Sequence, residues 1–187
     1  MKTVENNISN FLVISAMLFF VFLTRFSHEL TPFALPDASL IIAFAAGILL
    51  KEIKYLVAVF LGIICLDNFA IYNHDFQNIS LSNGSYFFHL AIYPIAWWFA
   101  RKLKIFDLLN FTTIIFVVIS LSFIISYGSY FYLYDMGLAD SASLWSFLQN
   151  NFLSYFLTNI SYAGLFFIGL KLYAKFKPTT LNIYVSK

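Results

Sequence analysis

Charge is what this sequence has least of. Only 11% of its 187 residues are Asp, Glu, Lys or Arg, against about 25% in a soluble domain. That is too little to cover a water-facing surface, and a soluble globular domain is excluded. The net charge of +2 leaves no footprint for nucleic acid. A single cysteine, Cys65, excludes an internal disulfide and any multi-cysteine zinc or iron–sulfur site. No glycine-rich phosphate loop occurs, so the chain does not energise transport itself. Neither a His-Glu-x-x-His nor a Gly-x-Ser-x-Gly sequence is present, and the expectation is of a protein that is not an enzyme and has no intrinsic cofactor. There is no internal repeat, no low-complexity tract and no sign of a second domain.

Apolar and aromatic residues fill the space that charge leaves. The hydrophobic share is 61%, with 24 Phe, 12 Tyr and 3 Trp, and the mean hydropathy is +0.81. That composition is the opposite of a disordered chain. Long continuous apolar segments favour helices over a barrel of alternating strands. A spanning helix takes about 20 mostly apolar residues, and six segments qualify, at roughly 9–26, 37–50, 54–72, 85–101, 108–133 and 145–171. The second is short unless the loop before it dips into the membrane. The first has no small-x-small cleavage site after it and reads as a retained helix. The expected fold is an all-α integral membrane protein, one domain of six transmembrane helices in a single bundle.

Lysine and arginine in the short loops set the orientation. With both termini cytoplasmic, ten of the eleven basic residues fall inside and only Arg25 falls outside. Six of the nine acidic residues (Glu29, Asp37, Asp67, Asp75, Asp135 and Asp140) and all three histidines (His28, His74 and His89) then lie on or near the outer side. Any binding chemistry therefore faces outward.

Several residues carry a cost where they stand. Asp67 sits near the outer end of the third helix, either lining an outward cavity or reaching water at a helix end. His89, one turn into the fourth helix, could meet a ligand or simply bond a neighbouring helix. Pro94 frees the carbonyl of Leu90, opening that helix or leaving a tolerated kink. Tyr127, Tyr130, Phe131, Tyr132 and Tyr134 at the outer end of the fifth helix form either a headgroup belt or the wall of a cavity for a large flat ligand. Gln149, Asn150 and Asn151 would suit an amide-rich ligand or a polar helix cap. The small pairs Ala43/Gly47 and Ala58/Gly62 serve internal packing or docking to a membrane partner.

The run Arg25-Phe-Ser-His-Glu-Leu-Thr-Pro-Phe-Ala-Leu-Pro-Asp-Ala-Ser39, leading into the small-residue helix Ile41 to Leu50, resembles the start of BtuM-type proteins. These are the cobalamin-specific substrate-binding (S) components of energy-coupling-factor vitamin transporters. The resemblance weakens through Asp67 and the stretch with Tyr86, Pro94 and Arg101. It implies a six-helix bundle in the bacterial cytoplasmic membrane that takes up cobalamin or a related corrinoid through an outward pocket. It also implies partnership with a transmembrane coupling protein and two cytoplasmic ATPases, or a solitary role. By the resemblance His28 and Asp37 carry over first as ligand-binding residues, then Asp67 and Tyr86; His89 joins the candidates from its own place one turn into the fourth helix. Some members place a cobalt-ligating cysteine in the loop before the fourth helix. Here that loop reads Ser80-Leu81-Ser82-Asn83-Gly84-Ser85, so Ser82 and Asn83 are the polar groups on offer and His28 is the first candidate for the cobalt. The rival readings are a membrane sensor or structural module without a transported ligand, and an intramembrane lipid-modifying enzyme using Asp67 and His89 as acid and base.

Overall fold

A computed structural model of the chain describes residues 2–26, 35–50, 52–73, 84–103, 107–135 and 141–176. Every regular element among them is helical, as expected. The helices are α1 (Lys2–Arg25), α2 (Ser39–Leu49), α3 (Ile53–Asn73), α4 (Gly84–Ala100), α5 (Leu108–Tyr130) and α6 (Ser141–Phe176), and α5 runs on into a π-helical turn at Phe131–Asp135.

The boundaries differ from the apolar runs for local reasons. Hydropathy marks only the apolar part of a helix. Polar residues with no Pro or Gly among them continue α1 back to Lys2 and α6 back to Ser141. At its far end α6 is described as far as Phe176. Pro36 delays α2 to Ser39, and the Asp37 carboxylate accepts from the Ser39 amide (3.0 Å) and hydroxyl (2.7 Å) at its first turn. Asp107 opens α5 in the same way, accepting from the amides of Leu109 and Asn110.

Consecutive helices run in opposite directions. The end of α1 meets the start of α2 through Arg25 and Ser39. Late α3 meets early α4 through Asp67 and Tyr86. The start of α4 meets the end of α5 through His89 and Ser126, and the end of α5 meets the start of α6 through Tyr127 and Phe147. All of these contacts lie at one end of the bundle.

α2 is the centre. It touches α1, α3, α4 and α6, and nearly every residue from Ser39 to Ile48 is buried. Its 11 residues rise about 16 Å, half the thickness of a bilayer core, so its neighbours enclose it. Small side chains allow this. A Cβ on Gly47 would collide with the Trp97 carbonyl and sit 2.8 Å from the Ala100 Cβ, so α2 and α4 touch backbone to backbone. The pair Ala43/Gly47 is thus internal packing. In the second pair Ala58 is exposed, while Gly62 takes the Leu18 side chain of α1. Phe111 joins α2 to α6, lying 6.0 Å from the Phe44 ring and 4.6 Å from that of Phe167.

Two stretches, Leu108–Leu133 and Leu144–Tyr173, are each long and apolar enough to cross a membrane. Ser9–Arg25 and Ser39–Leu49 are shorter apolar helices. The outer faces of the long helices carry exposed Phe116, Ile124, Leu153, Leu165 and Ile168, whereas Thr24, Ser39, Asp67, Ser122 and Asn159 are buried. An apolar outer face, with a few polar residues held inside a largely apolar core, is the reverse of a water-soluble surface. At the end of the bundle away from Arg25, Arg101, Lys102 and Lys171 lie over the rings of Trp97, Trp98 and Phe167.

Candidate functional site

Two features meet at the Arg25 end. The first is an ionic cluster. Arg25 closes α1, and its guanidinium forks between two carboxylates. One branch reaches Asp37 Oδ2 and Ser39 Oγ, both at 3.2 Å, and the other pairs with Asp67. Asp67 Oδ2 also accepts from the Tyr86 hydroxyl at 2.8 Å. Four helix ends are tied together by one cation and two anions. The members differ in exposure: Asp67 is 3% exposed, the Arg25 side chain 17% and that of Asp37 41%. A planar, permanently charged guanidinium suits such a junction because it can bridge two acceptors at once.

The second feature is a cavity of about 580 Å³ between the start of α2 and helices α4, α5 and α6. Asp37 and Leu40 form one side, and His89, Ile92 and Tyr93 of α4 another. Ser126, Tyr127 and Tyr130 come from α5. The α6 wall holds Phe147, Asn151, Ser154, Tyr155, Thr158 and Asn159. Tyr127 packs edge-on to Tyr155 with ring centroids 5.5 Å apart, so much of the α5–α6 wall is aromatic. His89 is held at both nitrogens, Nδ1 by Ser126 Oγ and Nε2 by the Tyr93 hydroxyl, each at 2.9 Å. It can offer a ligand or metal no free lone pair without giving up one of these bonds.

Of the residues predicted from sequence, Asp37 and His89 line the cavity, and Asp67 and Tyr86 lie in the adjoining cluster, joined to Asp37 through Arg25. His28, Ser82 and Asn83, with His74, fall outside the described residues. Asp67 and His89 have separate partners, so the acid–base couple of the enzyme reading is not formed between them. Cys65 is exposed and does not line the cavity. Trp145, Gln149 and Asn150 are exposed as well, and of the three consecutive amides only Asn151 reaches the cavity. Pro94 points outward, while Ile92 and Tyr93 just before it face in. Among the described residues no three His, Cys, Asp or Glu side chains are grouped to hold a metal.

The sequence reading missed Arg25 as the junction, and it missed Tyr93, Ser126 and most of the α6 wall. A signal for that wall was available. Asn151, Ser154, Tyr155, Thr158 and Asn159 follow i, i+3, i+4, i+7 and i+8 spacing, one polar face on an otherwise apolar helix. Comparison with family models, with curated proteins and with solved structures found no match for this chain.

Proposed function

We propose that this chain is a six-span protein of the bacterial cytoplasmic membrane, with both termini cytoplasmic, that binds cobalamin or a related corrinoid in its outward cavity for uptake. The cavity carries the reading. Among the described residues it measures about 580 Å³, the size of a site for a drug-sized ligand, and it takes part of a corrinoid rather than the whole molecule. Its mixture of rings, hydroxyls and amides suits a large flat ligand with polar edges. It lies at the Arg25 end, away from Arg101, Lys102, Lys171 and Lys175, where an outward site belongs with basic residues kept inside. The resemblance of the 25–39 run supplies the ligand class. The chain is a binding component and not an enzyme. A transmembrane coupling protein and two ATPases would provide the energy.

Uptake tests this directly. The chain is expressed in a bacterium that lacks cobalamin transport and depends on the vitamin, with a coupling module supplied in parallel. Growth at limiting cobalamin, in proportion to protein found in the membrane, is the expected result. No growth despite membrane insertion and a working coupling module would overturn the proposal.

A further inference from the structure

The cavity carries one sign of charge. Asp37 lines it, and among the described residues no Lys or Arg side chain does. His89, also in the lining, commits both ring nitrogens to Ser126 and Tyr93. Arg25 lies outside the lining and divides its guanidinium between Asp37 and Asp67. One cation against two carboxylates leaves the cluster one negative charge in excess. The segments that join helix ends at this end of the bundle, 26–38, 74–83 and 136–140, hold Glu29, Asp37, Asp75 and Asp140 and no Lys or Arg.

Asp37 also has capacity to spare. A carboxylate offers about four lone-pair directions. Its Oδ1 accepts twice, from the Ser39 amide at 3.0 Å and the Ser39 hydroxyl at 2.7 Å, whereas Oδ2 accepts from Arg25 at 3.2 Å. One direction on Oδ2 is therefore unused among the described residues, and the side chain is 41% exposed, so a ligand can reach it. Five rings share the lining, those of Tyr93, Tyr127, Tyr130, Phe147 and Tyr155, and an aromatic wall receives a cation better than an anion. A ligand anion would meet the Asp37 carboxylate with no Lys or Arg in the lining to offset the repulsion.

We infer that the cavity is a site for an organic cation, with Asp37 Oδ2 accepting from an ammonium or amidinium N–H and the rings packing against the ligand's flat body. This goes beyond the corrinoid reading, because the charge preference belongs to the chain's own residues. A cobalt(III) corrin, itself cationic, is compatible with it.

The test uses three probes of one size and different charge: benzylammonium, benzyl alcohol and benzoate. Binding is measured by calorimetric titration at neutral pH on the full chain in nanodiscs of zwitterionic lipid, with empty nanodiscs as the blank. Wild type is expected to bind benzylammonium about tenfold more tightly than benzyl alcohol, the effect of one hydrogen bond to a charged acceptor, and to show no saturable binding of benzoate. Asp37→Asn keeps the side-chain shape and removes the charge, and it should bind benzylammonium and benzyl alcohol within about twofold of each other. Asp37→Glu retains the carboxylate and should keep a preference for the cation, which separates loss of charge from disturbance of the helix start. Wild type alone can overturn the proposal, by failing to bind benzylammonium, by binding the alcohol equally well or by binding benzoate more tightly. An unchanged preference in folded Asp37→Asn would overturn it too. Each of these results leaves the corrinoid reading to its own titration with cobalamin.

Discussion

Asp67→Asn is the most informative single change in the ionic cluster. It keeps the side-chain shape and an oxygen for the Tyr86 hydroxyl, and it removes one charge. Arg25 is left with Asp37 alone, at 3.2 Å and 41% exposed. Removing one partner of a buried pair costs about 3–5 kcal/mol. Because Arg25 keeps a second carboxylate and is itself 17% exposed, the lower figure applies, about 3 kcal/mol. Asp37→Asn removes the more exposed carboxylate and should cost about 0.2–1 kcal/mol, as exposed pairs do. For a chain of this size 1 kcal/mol moves the midpoint by about 2–4 °C. Thermal unfolding of the detergent-purified protein, followed by tryptophan fluorescence, should then show a fall of about 6–12 °C for Asp67→Asn and under about 4 °C for Asp37→Asn. Arg25→Met combined with Asp67→Asn leaves no unpaired buried charge and should be more stable than Asp67→Asn alone. A fall below about 2 °C for Asp67→Asn, or a double variant that loses the sum of its parts, would refute the buried pair as the clamp on these helix ends.

Three further outcomes are expected. Gly47→Ala should wedge α2 away from the Trp97 carbonyl of α4 and cost about 1–3 kcal/mol, whereas Gly128→Ala, which has open space around it, should leave the unfolding midpoint within about 2 °C of wild type. In a Cys65→Ser background, single cysteines placed in 73–84 should react with a membrane-impermeant thiol reagent added from outside, and cysteines at 102–104 should not; the reverse pattern inverts the orientation. His89→Ala should leave the visible spectrum of bound corrinoid unchanged, because both ring nitrogens are committed within the protein, while a spectral change in His28→Ala would identify the cobalt ligand.

Much of the fold was legible because a long apolar run has one low-energy solution when water is scarce, and the six α-helices among the described residues followed from it. Helix ends were less legible. The polar starts of α1 and α6 carry no stop signal, while Pro36 punctuates sharply before α2. Asp37, Asp67, Tyr86 and His89 stood out because an ionisable group in an apolar context is expensive wherever it sits. Arg25 was read as a topology marker, since nothing in the linear sequence says that it reaches Asp67 across 42 positions. Ser126 and Tyr93 were invisible for the same reason: their role is to hold His89 from helix positions that look unremarkable alone. The α6 face was legible in principle from its helical spacing, but it was obscured by the more conspicuous run Gln149-Asn150-Asn151, two of whose members turn out to be exposed.

The central claim is that the cavity between α2, α4, α5 and α6 holds a corrinoid. Titration of the full chain in nanodiscs with cobalamin, in wild type and in Thr158→Trp, tests it most directly. Thr158 lines the cavity, and an indole there fills part of its space. Saturable binding of one cobalamin per chain, lost in Thr158→Trp at an unchanged unfolding midpoint, is the predicted result. Absence of saturable binding in wild type, or equal binding in the blocked variant, would contradict it.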